Sequence, residues 1–491
     1  MTEATDVSLG GETGKAAIAK FAMAAVGFVA SIFFARELGP GAFGGYYLLF
    51  GLVKFADRPL MGWATASKKR FADDETKRRE IVGLQFLFNA AWILLAAVTA
   101  LLLASNIRSY SGLAIGPLLF VILLVSESNY EAFDRILTAR GQVGLATWAD
   151  ALRSYLTLPL QALFVFALAG YGADGMVYGL AGATVLTFPI VFYFIKTKPA
   201  IPSLDTLASV AQYARYSIPT DLFMNLYSRL DMILLGILLV PATAANYQVA
   251  AQLTVPATFV ASLAGSGLMP RVSRLWTEGK AVGQEVTNAI AFSSVFAVPI
   301  LFGALAIPNA LVVTVYGSEY ALGASLIASI AAYQFLATQT TPLIQTLNGI
   351  DRPDVNMRAS GIALSVNIVL GVILTLQFGP IGVVISSLVA ESLIYVFTAY
   401  VVKRQVPSVE LVPRPLCVQV STGVIMFLVV SAVSRVVVVQ SWFDLGILLT
   451  VGATTYVGVL LVVSPAIRTT VGSVLDGSRL ETYIPRRFLN W

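Results

Sequence analysis

The sequence predicts an all-α polytopic membrane protein with about fourteen transmembrane helices. The chain of 491 residues is 57% hydrophobic and only 12% charged, with a mean hydropathy of +0.79. That charged fraction is about half of what a soluble domain carries. Apolar runs of about 20 residues, long enough to cross a bilayer as a helix, recur from one end of the chain to the other. Basic residues collect in alternate loops, as expected on the cytoplasmic side of a membrane protein.

The apolar runs define the predicted spans. They cover residues 16–35, 44–63, 82–103, 113–130, 146–169, 175–195, 218–239, 246–268, 287–314, 321–347, 359–378, 381–402, 416–437 and 443–466. The longest polar stretches are Lys68–Glu80, Lys196–Tyr216 and the tail after Arg468. Because these stretches have the length of loops, we predict no soluble domain.

The loop charges predict the orientation of the spans. With the N-terminus in the cytoplasm, the outer loops contain only Arg36, Arg108 and Arg435, and the other loop lysines and arginines lie inside. The N-terminal segment is polar and acidic, and it lacks the basic start of a signal peptide. We therefore expect a multi-pass protein of the cell (plasma) membrane with both termini cytoplasmic. The outer loops are too short to form a catalytic domain.

Two sets of residues recur at nearly constant separation and indicate an internal repeat. Pro40 and Tyr46 recur 201 residues later as Pro241 and Tyr247, and Gly172 and Gly175 recur 207 residues later as Gly379 and Gly382. The repeat predicts two pseudo-symmetric lobes in the same orientation, a known design of transporters. The predicted organisation is an N-terminal lobe (1–195), a cytoplasmic linker (196–217), a C-terminal lobe (218–402), two further spans (416–467) and a cytoplasmic tail (468–491).

Charged residues inside the spans are concentrated in the second and seventh spans. An ionised side chain that faces lipid costs several kcal/mol, so these residues should face protein or a water-filled cavity. We predict that a cavity binds an anionic head group through Lys54, Arg58, Arg229 and Asn225. The predicted gating or ion-coupling residues are Asp57, Asp231, Asp221 and Glu391. The alternative, that these charges are interhelical ion pairs that only hold the helices together, stays open.

Sequence neighbours on a helix do not share a face, so Asp57 and Arg58 should each find a partner on another helix. The same holds for Arg229 and Asp231. A second set of charges lies near cytoplasmic helix ends, where anchoring at the membrane interface is the expected role. This set is Lys20, Glu127, Asp150 and Arg153.

Several chemistries are excluded by composition. The chain contains no histidine and a single cysteine, Cys417, so it has neither an intrachain disulfide nor a zinc-binding spacing. It lacks the GxxxxGK[ST] loop that binds nucleotide phosphates, which excludes ATP hydrolysis by this chain. We predict no catalytic residues, no metal site and no cofactor. Coupling to a sodium or proton gradient stays open, because carboxylates are present in the spans.

Several motifs resemble those of the polysaccharide and lipid-linked oligosaccharide flippases of the multidrug/oligosaccharidyl-lipid/polysaccharide (MOP) exporter superfamily. ARELGPGAFGGYYLLFGL (Ala35–Leu52) resembles the signature between their first two helices, and YSRLDMILLGILL with ANYQVAAQL resembles their seventh helix and the start of the eighth. The further motifs, in family order, are LMPRVSRL (Leu268–Leu275), YGSEY (Tyr316–Tyr320), LNGIDRP (Leu347–Pro353) and FGPIGVVIS (Phe378–Ser386). The resemblance implies twelve core helices in two lobes, two additional C-terminal helices, and a cationic cavity that works by alternating access.

The resemblance also implies the cargo. It would be an oligosaccharide linked to polyprenyl or dolichyl phosphate or pyrophosphate, moved from the cytoplasmic to the outer leaflet. The expected partners are this substrate, membrane lipids and enzymes of glycan assembly or transfer. A monomer is expected, and nucleic acid is not a partner.

Three other functions are weighed against this one. A cation-coupled drug or metabolite antiporter of the same superfamily would need an acidic pocket, and the first span has no carboxylate. A membrane glycosyltransferase, ligase or polymerase would need a large outer loop. A scaffold that transports nothing would not need charges within its spans.

Overall fold

The computed structural model describes residues 9–167, 171–465 and 468, with side chains from Met23 onwards apart from Met224. The predicted tail after Arg468 and the side chain of Lys20 therefore lie outside the described part. The helices are α1 (Leu9–Ala56), α2 (Arg58–Asp73), α3 (Arg78–Leu102), α4 (Ala104–Ser111), α5 (Gly116–Ala139), α6 (Val143–Ala162), α7 (Ala173–Ile195), α8 (Leu204–Leu238), α9 (Pro241–Thr254), α10 (Phe259–Thr277), α11 (Gly283–Ser293), α12 (Ala297–Ala306), α13 (Pro308–Tyr316), α14 (Ala321–Gly349), α15 (Pro353–Phe378), α16 (Pro380–Gln405), α17 (Arg414–Val433) and α18 (Trp442–Val463).

The described helices confirm an all-α multi-pass membrane protein. Ten of the helical segments are long and apolar enough to cross a membrane, or eleven if α4 and α5, which meet at an 89° bend, form one span. The first predicted span and the beginning of the second count as one segment, Met23–Ala56, although α1 is kinked at Gly39, whose φ of 69° and ψ of 168° are not helical. The helices of the fifth and seventh predicted spans, α6 and α8, carry charged residues and are not among the ten. The number fourteen stays a prediction.

The chain divides into two compact units, with the boundary between Gln248 and Val249. In the first unit, α2 packs against α5 and α8, and α7 packs against α5 and α6. One of its aromatic clusters surrounds Phe133, whose ring contacts Phe86, Phe188 and Phe192. The predicted seventh span, within α8, therefore packs with the helices that precede it in sequence.

The segment predicted as a linker is extended only as far as Ser203, and α8 begins at Leu204. The Ser203 hydroxyl accepts a hydrogen bond from the amide of Thr206, which caps the helix. The extended part lies on the start of α3, where the amide of Ala200 donates to the carbonyl of Arg79 at 2.9 Å. Glu80 also binds the Ser203 hydroxyl at 2.6 Å. The linker is thus held to the first unit by backbone and side-chain hydrogen bonds.

In the second unit, α16 packs against α14 and α15, α10 packs against α14, and α17 packs against α18. One core cluster joins α10, α11, α14 and α16, and includes Val272, Val286, Leu343 and Val402, each fully buried. Apolar side chains gain little by leaving lipid, so close packing of such side chains is what stabilises helix contacts inside a membrane.

The repeated glycines have the same backbone conformation in the two units. Gly172 before α7 has φ 56° and ψ −132°, and Gly379 before α16 has φ 65° and ψ −146°. Only glycine adopts this region without strain. Three residues later, a side chain at Gly175 or Gly382 would collide with the backbone of the preceding helical segment. This equivalence is what a structural repeat predicts.

Candidate substrate site

The second predicted span is broken in the middle, and the break determines where its charges lie. Helix α1 ends at Ala56 and α2 begins at Arg58, with Pro59 in its first turn. A proline has no amide hydrogen to donate to the preceding turn, so the helix cannot continue unchanged through this point. The indole of Trp92 on α3 donates to the carbonyl of Ala56 at 2.9 Å. The break is therefore stabilised by a neighbouring helix.

Lys54, one turn before the break, is buried in a carboxylate cage. Its Nζ lies 3.0 Å from Glu127 Oε2 and 3.7 Å from Asp57 Oδ2, and it also contacts Glu131. Lys54 is 5% exposed and Glu127 is 2% exposed. A buried ion is stable only when partners replace its lost hydration, and these carboxylates do so.

Asp57 and Arg58 pair with each other, which the prediction did not include, and Arg58 also finds a partner on another helix, because its guanidinium lies 3.8 Å from Glu131 of α5. The Arg58 Nε lies 2.6 Å from Asp57 Oδ1, and one terminal nitrogen of the guanidinium lies 2.5 Å from the same oxygen. The face rule applies to a continuous helix, and here the helix ends between the two residues. Asp57 is fully buried, and its Oδ2 has no hydrogen-bond donor in the described part of the chain.

Glu127 connects this cage to a third cation. Its Oε1 accepts from Arg153 at 2.8 Å and from the Thr184 hydroxyl at 3.1 Å, while Arg153 also contacts Asp150 at 3.2 Å. The guanidinium lies over the Tyr130 ring, 4.5 Å from its centroid. The prediction that Glu127 and Arg153 anchor the protein at the membrane interface is wrong, because both side chains belong to this buried network.

Glu131 is the residue that the sequence analysis missed. It lies one turn after Glu127 on α5, and two carboxylates at positions i and i+4 on one helix face repel each other unless they share a cation. That spacing was a signal for a partner such as Lys54. The ion network has three basic residues (Lys54, Arg58 and Arg153) and four acidic ones (Asp57, Glu127, Glu131 and Asp150). The cations at Lys54 and Arg58 are therefore already neutralised within the protein.

Arg229 on α8 is different. Its guanidinium lies 5.8 Å from the centroid of the Phe50 ring, and it is close enough to Arg58, Asp57 and Glu131 to interact with them electrostatically. Among the described residues it forms no ion pair, although the side chain is half-buried. A half-buried guanidinium that has no paired carboxylate can bind an external anion.

Asn225 lies one helical turn before Arg229, so both side chains share a face of α8. The Asn225 amide oxygen is buried and has no hydrogen-bond partner in the part of the chain that the structure describes. Buried polar atoms are nearly always hydrogen-bonded, so this oxygen can accept a hydrogen bond from a polar ligand or from water. The two residues together offer the donors and the acceptor that a phosphate and a sugar hydroxyl require.

The other predicted coupling residues have partners within the protein. Asp221 accepts from the Thr65 hydroxyl at 3.2 Å and lies 3.7 Å from Arg135. Asp231 accepts from the Tyr247 hydroxyl at 2.6 Å. Both contacts lie in the first unit and connect α8 to its neighbours. Glu391 lies in the second unit, buried in α16 at 5% exposure.

A large apolar groove lies in the first unit next to the charged residues. It has a volume of about 680 Å³ and is lined by α1, α3, α4, α5 and α8. Among the described residues no group of three or more acidic or cysteine side chains is arranged to hold a metal ion. In the described part of the chain, the site therefore consists of a neutralised ion network, the cation Arg229 without a paired carboxylate, and a groove lined by apolar side chains.

Comparison with known proteins identifies the family of this chain. Residues 33–324, more than half of the chain, match the family of polysaccharide biosynthesis proteins. The chain belongs to that family. This match confirms the predicted membership of a polysaccharide family.

Family relatives from Haloferax volcanii extend the match along the chain. The probable flippase AglR is 25% identical over 459 residues, 92% of this chain and 95% of the relative. The probable low-salt glycan biosynthesis flippase Agl15 is 24% identical over 374 residues, 75% of this chain and 78% of the relative.

Solved structures show the same fold. The inward closed conformation of the lipid II flippase MurJ matches with a TM-score of 0.75 at 16% identity, covering 90% of this chain and 97% of that chain. An inward-facing MATE multidrug resistance transporter of the MOP superfamily matches with a TM-score of 0.57 at 17% identity, covering 79% of this chain and 98% of that chain. At these identities the likeness concerns the fold alone.

Proposed function

We propose that the protein is a flippase that moves a lipid-linked oligosaccharide from the cytoplasmic to the outer leaflet by alternating access. The lipid would be polyprenyl or dolichyl phosphate or pyrophosphate, and the glycan would serve surface polysaccharide synthesis or protein glycosylation. The protein would act as a transporter with no covalent step, alongside the enzymes that assemble or transfer the glycan. The family and the names of the Haloferax relatives support the substrate class.

The observation that carries the proposal is the combination of Arg229 and Asn225. Arg229 is a cation with no carboxylate paired to it in the described chain, and Asn225 presents an unbonded buried oxygen on the same face of α8. A cationic drug would be repelled at Arg229, which disfavours a drug antiporter. A phosphate would neutralise the guanidinium through paired hydrogen bonds. Asp57 would then be the candidate for coupling to protons or sodium, because its second oxygen has no donor.

The direct test is transport of a fluorescent lipid-linked oligosaccharide in proteoliposomes, with Arg229→Ala, Arg229→Lys and an exposed-arginine control, Arg271→Ala. Arg271 pairs with Glu285 and its side chain is 57% exposed. A hydrogen bond to a charged group contributes about 1.5–3 kcal/mol, so Arg229→Ala should lower the apparent affinity by about tenfold to a hundredfold. Arg229→Lys should retain part of it, and Arg271→Ala should match the unmodified protein. Unimpaired transport by Arg229→Ala would contradict the proposed role.

Deletion of the gene tests the function in the cell. Lipid-linked oligosaccharides should accumulate on the cytoplasmic face of the membrane, which lipid extraction and glycan analysis would detect. Unchanged glycans together with altered drug sensitivity would instead favour the antiporter.

A further inference from the structure

The groove in the first unit has the dimensions of a ligand site. Its volume of about 680 Å³ falls within the range of about 300–1,000 Å³ typical of ligand pockets. Its lining is almost entirely apolar and includes Leu95 from α3, Leu103 between α3 and α4, and Ile233 and Ile237 from α8. Small side chains at Ala96 and Ala100 keep the floor of the groove open. This shape and lining suit an extended hydrocarbon chain.

Residues that neighbour the charged site line the groove at two points. Ala56 and Trp92 line it, and Ala56 is the last residue of α1 before the Asp57–Arg58 pair. On α8, the lining residues Leu226 and Ile233 lie three residues before and four residues after Arg229. Residues at these spacings share a helix face, so the cation and the apolar lining belong to one surface of α8.

Apolar surface alone would not select an occupant, because membrane lipid is as apolar as the groove. A selective occupant needs a second point of recognition, which the cation at Arg229 supplies. A molecule in which an anionic head is covalently joined to a long hydrocarbon chain satisfies both features at once. The substrate class proposed above is such a molecule.

We propose that this groove binds the isoprenoid chain of the lipid-linked substrate while its phosphate lies at Arg229. The proposal rests on the proposed function and assigns the lipid-binding part of the substrate site to α3, α4 and α8. The chain would lie against Leu95, Ala96 and Ile233, with its phosphate end near Phe50 and Arg229. Substrate recognition would then depend on the length of the lipid as well as on the glycan.

Filling the groove tests this assignment. Ala96→Trp and Thr99→Trp each place a large ring in the groove, whereas Val98→Trp adds the same ring to an exposed position of α3 outside it. The transport assay would compare a saccharide phosphate on a long polyprenyl chain with the same head group on a chain of two isoprene units. Loss of about tenfold or more with the long chain, corresponding to about 1.4 kcal/mol, is expected for both groove variants. The short-chain substrate and Val98→Trp should be unaffected.

Two results would overturn the proposal. An equal loss of transport with the long-chain and short-chain substrates would show that the groove does not bind the isoprenoid chain. Normal transport of the long-chain substrate by both folded groove variants would show that transport does not use the groove. If the unmodified protein transported neither substrate, the proposed function would fail instead.

Photocrosslinking locates the chain independently of transport. A polyprenyl phosphate with a diazirine in its chain should label peptides of α3 and α8, and an excess of unlabelled polyprenyl phosphate should compete. A diacyl phosphatidylcholine with the same diazirine should label them weakly and without that competition. Equal labelling by both probes would identify the groove as a surface for bulk membrane lipid and would overturn the proposal.

Discussion

Replacing Lys54 by methionine should destabilise the protein strongly, because it removes the centre of a buried ion network. Lys54 Nζ lies 3.0 Å from Glu127 Oε2 and 3.7 Å from Asp57 Oδ2, and it contacts Glu131. Methionine is an unbranched side chain one atom shorter than lysine, so the change is mainly the loss of the charged amine. The three carboxylates would then face each other without the cation between them.

The expected magnitude follows from the partners that remain. Removing one partner of a buried ion pair costs about 3–5 kcal/mol. Glu127 keeps Arg153 at 2.8 Å, and Asp57 keeps Arg58. We therefore expect the lower end, about 3 kcal/mol, which is more than a hundredfold in the unfolding equilibrium constant.

The chain offers a control with the same geometry and different burial. Lys69 Nζ lies 3.0 Å from Asp73 Oδ1, the same distance as in the Lys54–Glu127 pair, but its side chain is 53% exposed. Surface pairs contribute about 0–1 kcal/mol, so Lys69→Met should have a small effect.

Reversible unfolding in mixed micelles with increasing dodecyl sulfate would measure both variants. A double-mutant cycle of Lys54→Met and Glu127→Gln should show a coupling energy of about 0.5–3 kcal/mol. Equal losses for Lys54→Met and Lys69→Met, or a coupling energy of zero, would refute the reasoning from burial.

Two other predictions concern the repeat and the topology. Gly172→Ala and Gly379→Ala should each lower the free energy of unfolding by about 1–3 kcal/mol, because both glycines occupy a backbone region that only glycine adopts without strain. The control Gly144→Ala lies within α6 with open space around it and should not lower the stability. Thermal unfolding in detergent measures all three variants, and a Gly379→Ala variant as stable as the unmodified protein would contradict the prediction. Cys417 is exposed near the start of α17 and should react with a membrane-impermeant maleimide in inverted vesicles only; labelling in right-side-out vesicles would reverse the predicted orientation.

Part of the site could be predicted because the sequence alone shows which polar residues lie inside apolar runs. Arg229 and Asp57 are conspicuous in this way. Glu131 was missed because it lies near the end of a predicted span, where a carboxylate is unremarkable. Its role depends on Lys54, which is 77 residues away along the chain. A pattern among neighbouring residues cannot show a contact between residues so far apart along the chain.

The helix break at Asp57 shows why the rule that adjacent helical residues do not share a face failed at this point. Pro59 was visible, and it interrupts a helix wherever it occurs in the interior. The pairing of Arg58 with its own neighbour Asp57, and the hydrogen bond of the Trp92 indole to the carbonyl of Ala56 beside the break, appear only in the folded structure. A single-helix wheel therefore predicted partners on other helices for both residues.

The sequence by itself determined that this chain is a helical membrane protein with a repeated design and charged residues inside its spans. These properties can be read from the sequence because they depend on the hydropathy summed over about 20 residues and on the separation of glycines and prolines along the chain. Only the tertiary structure decided which cations are neutralised, since Lys54 and Arg58 contact carboxylates, whereas Arg229 contacts none among the residues that the structure describes. The physical reason is that Coulomb energy and desolvation depend on which distant helices pack together.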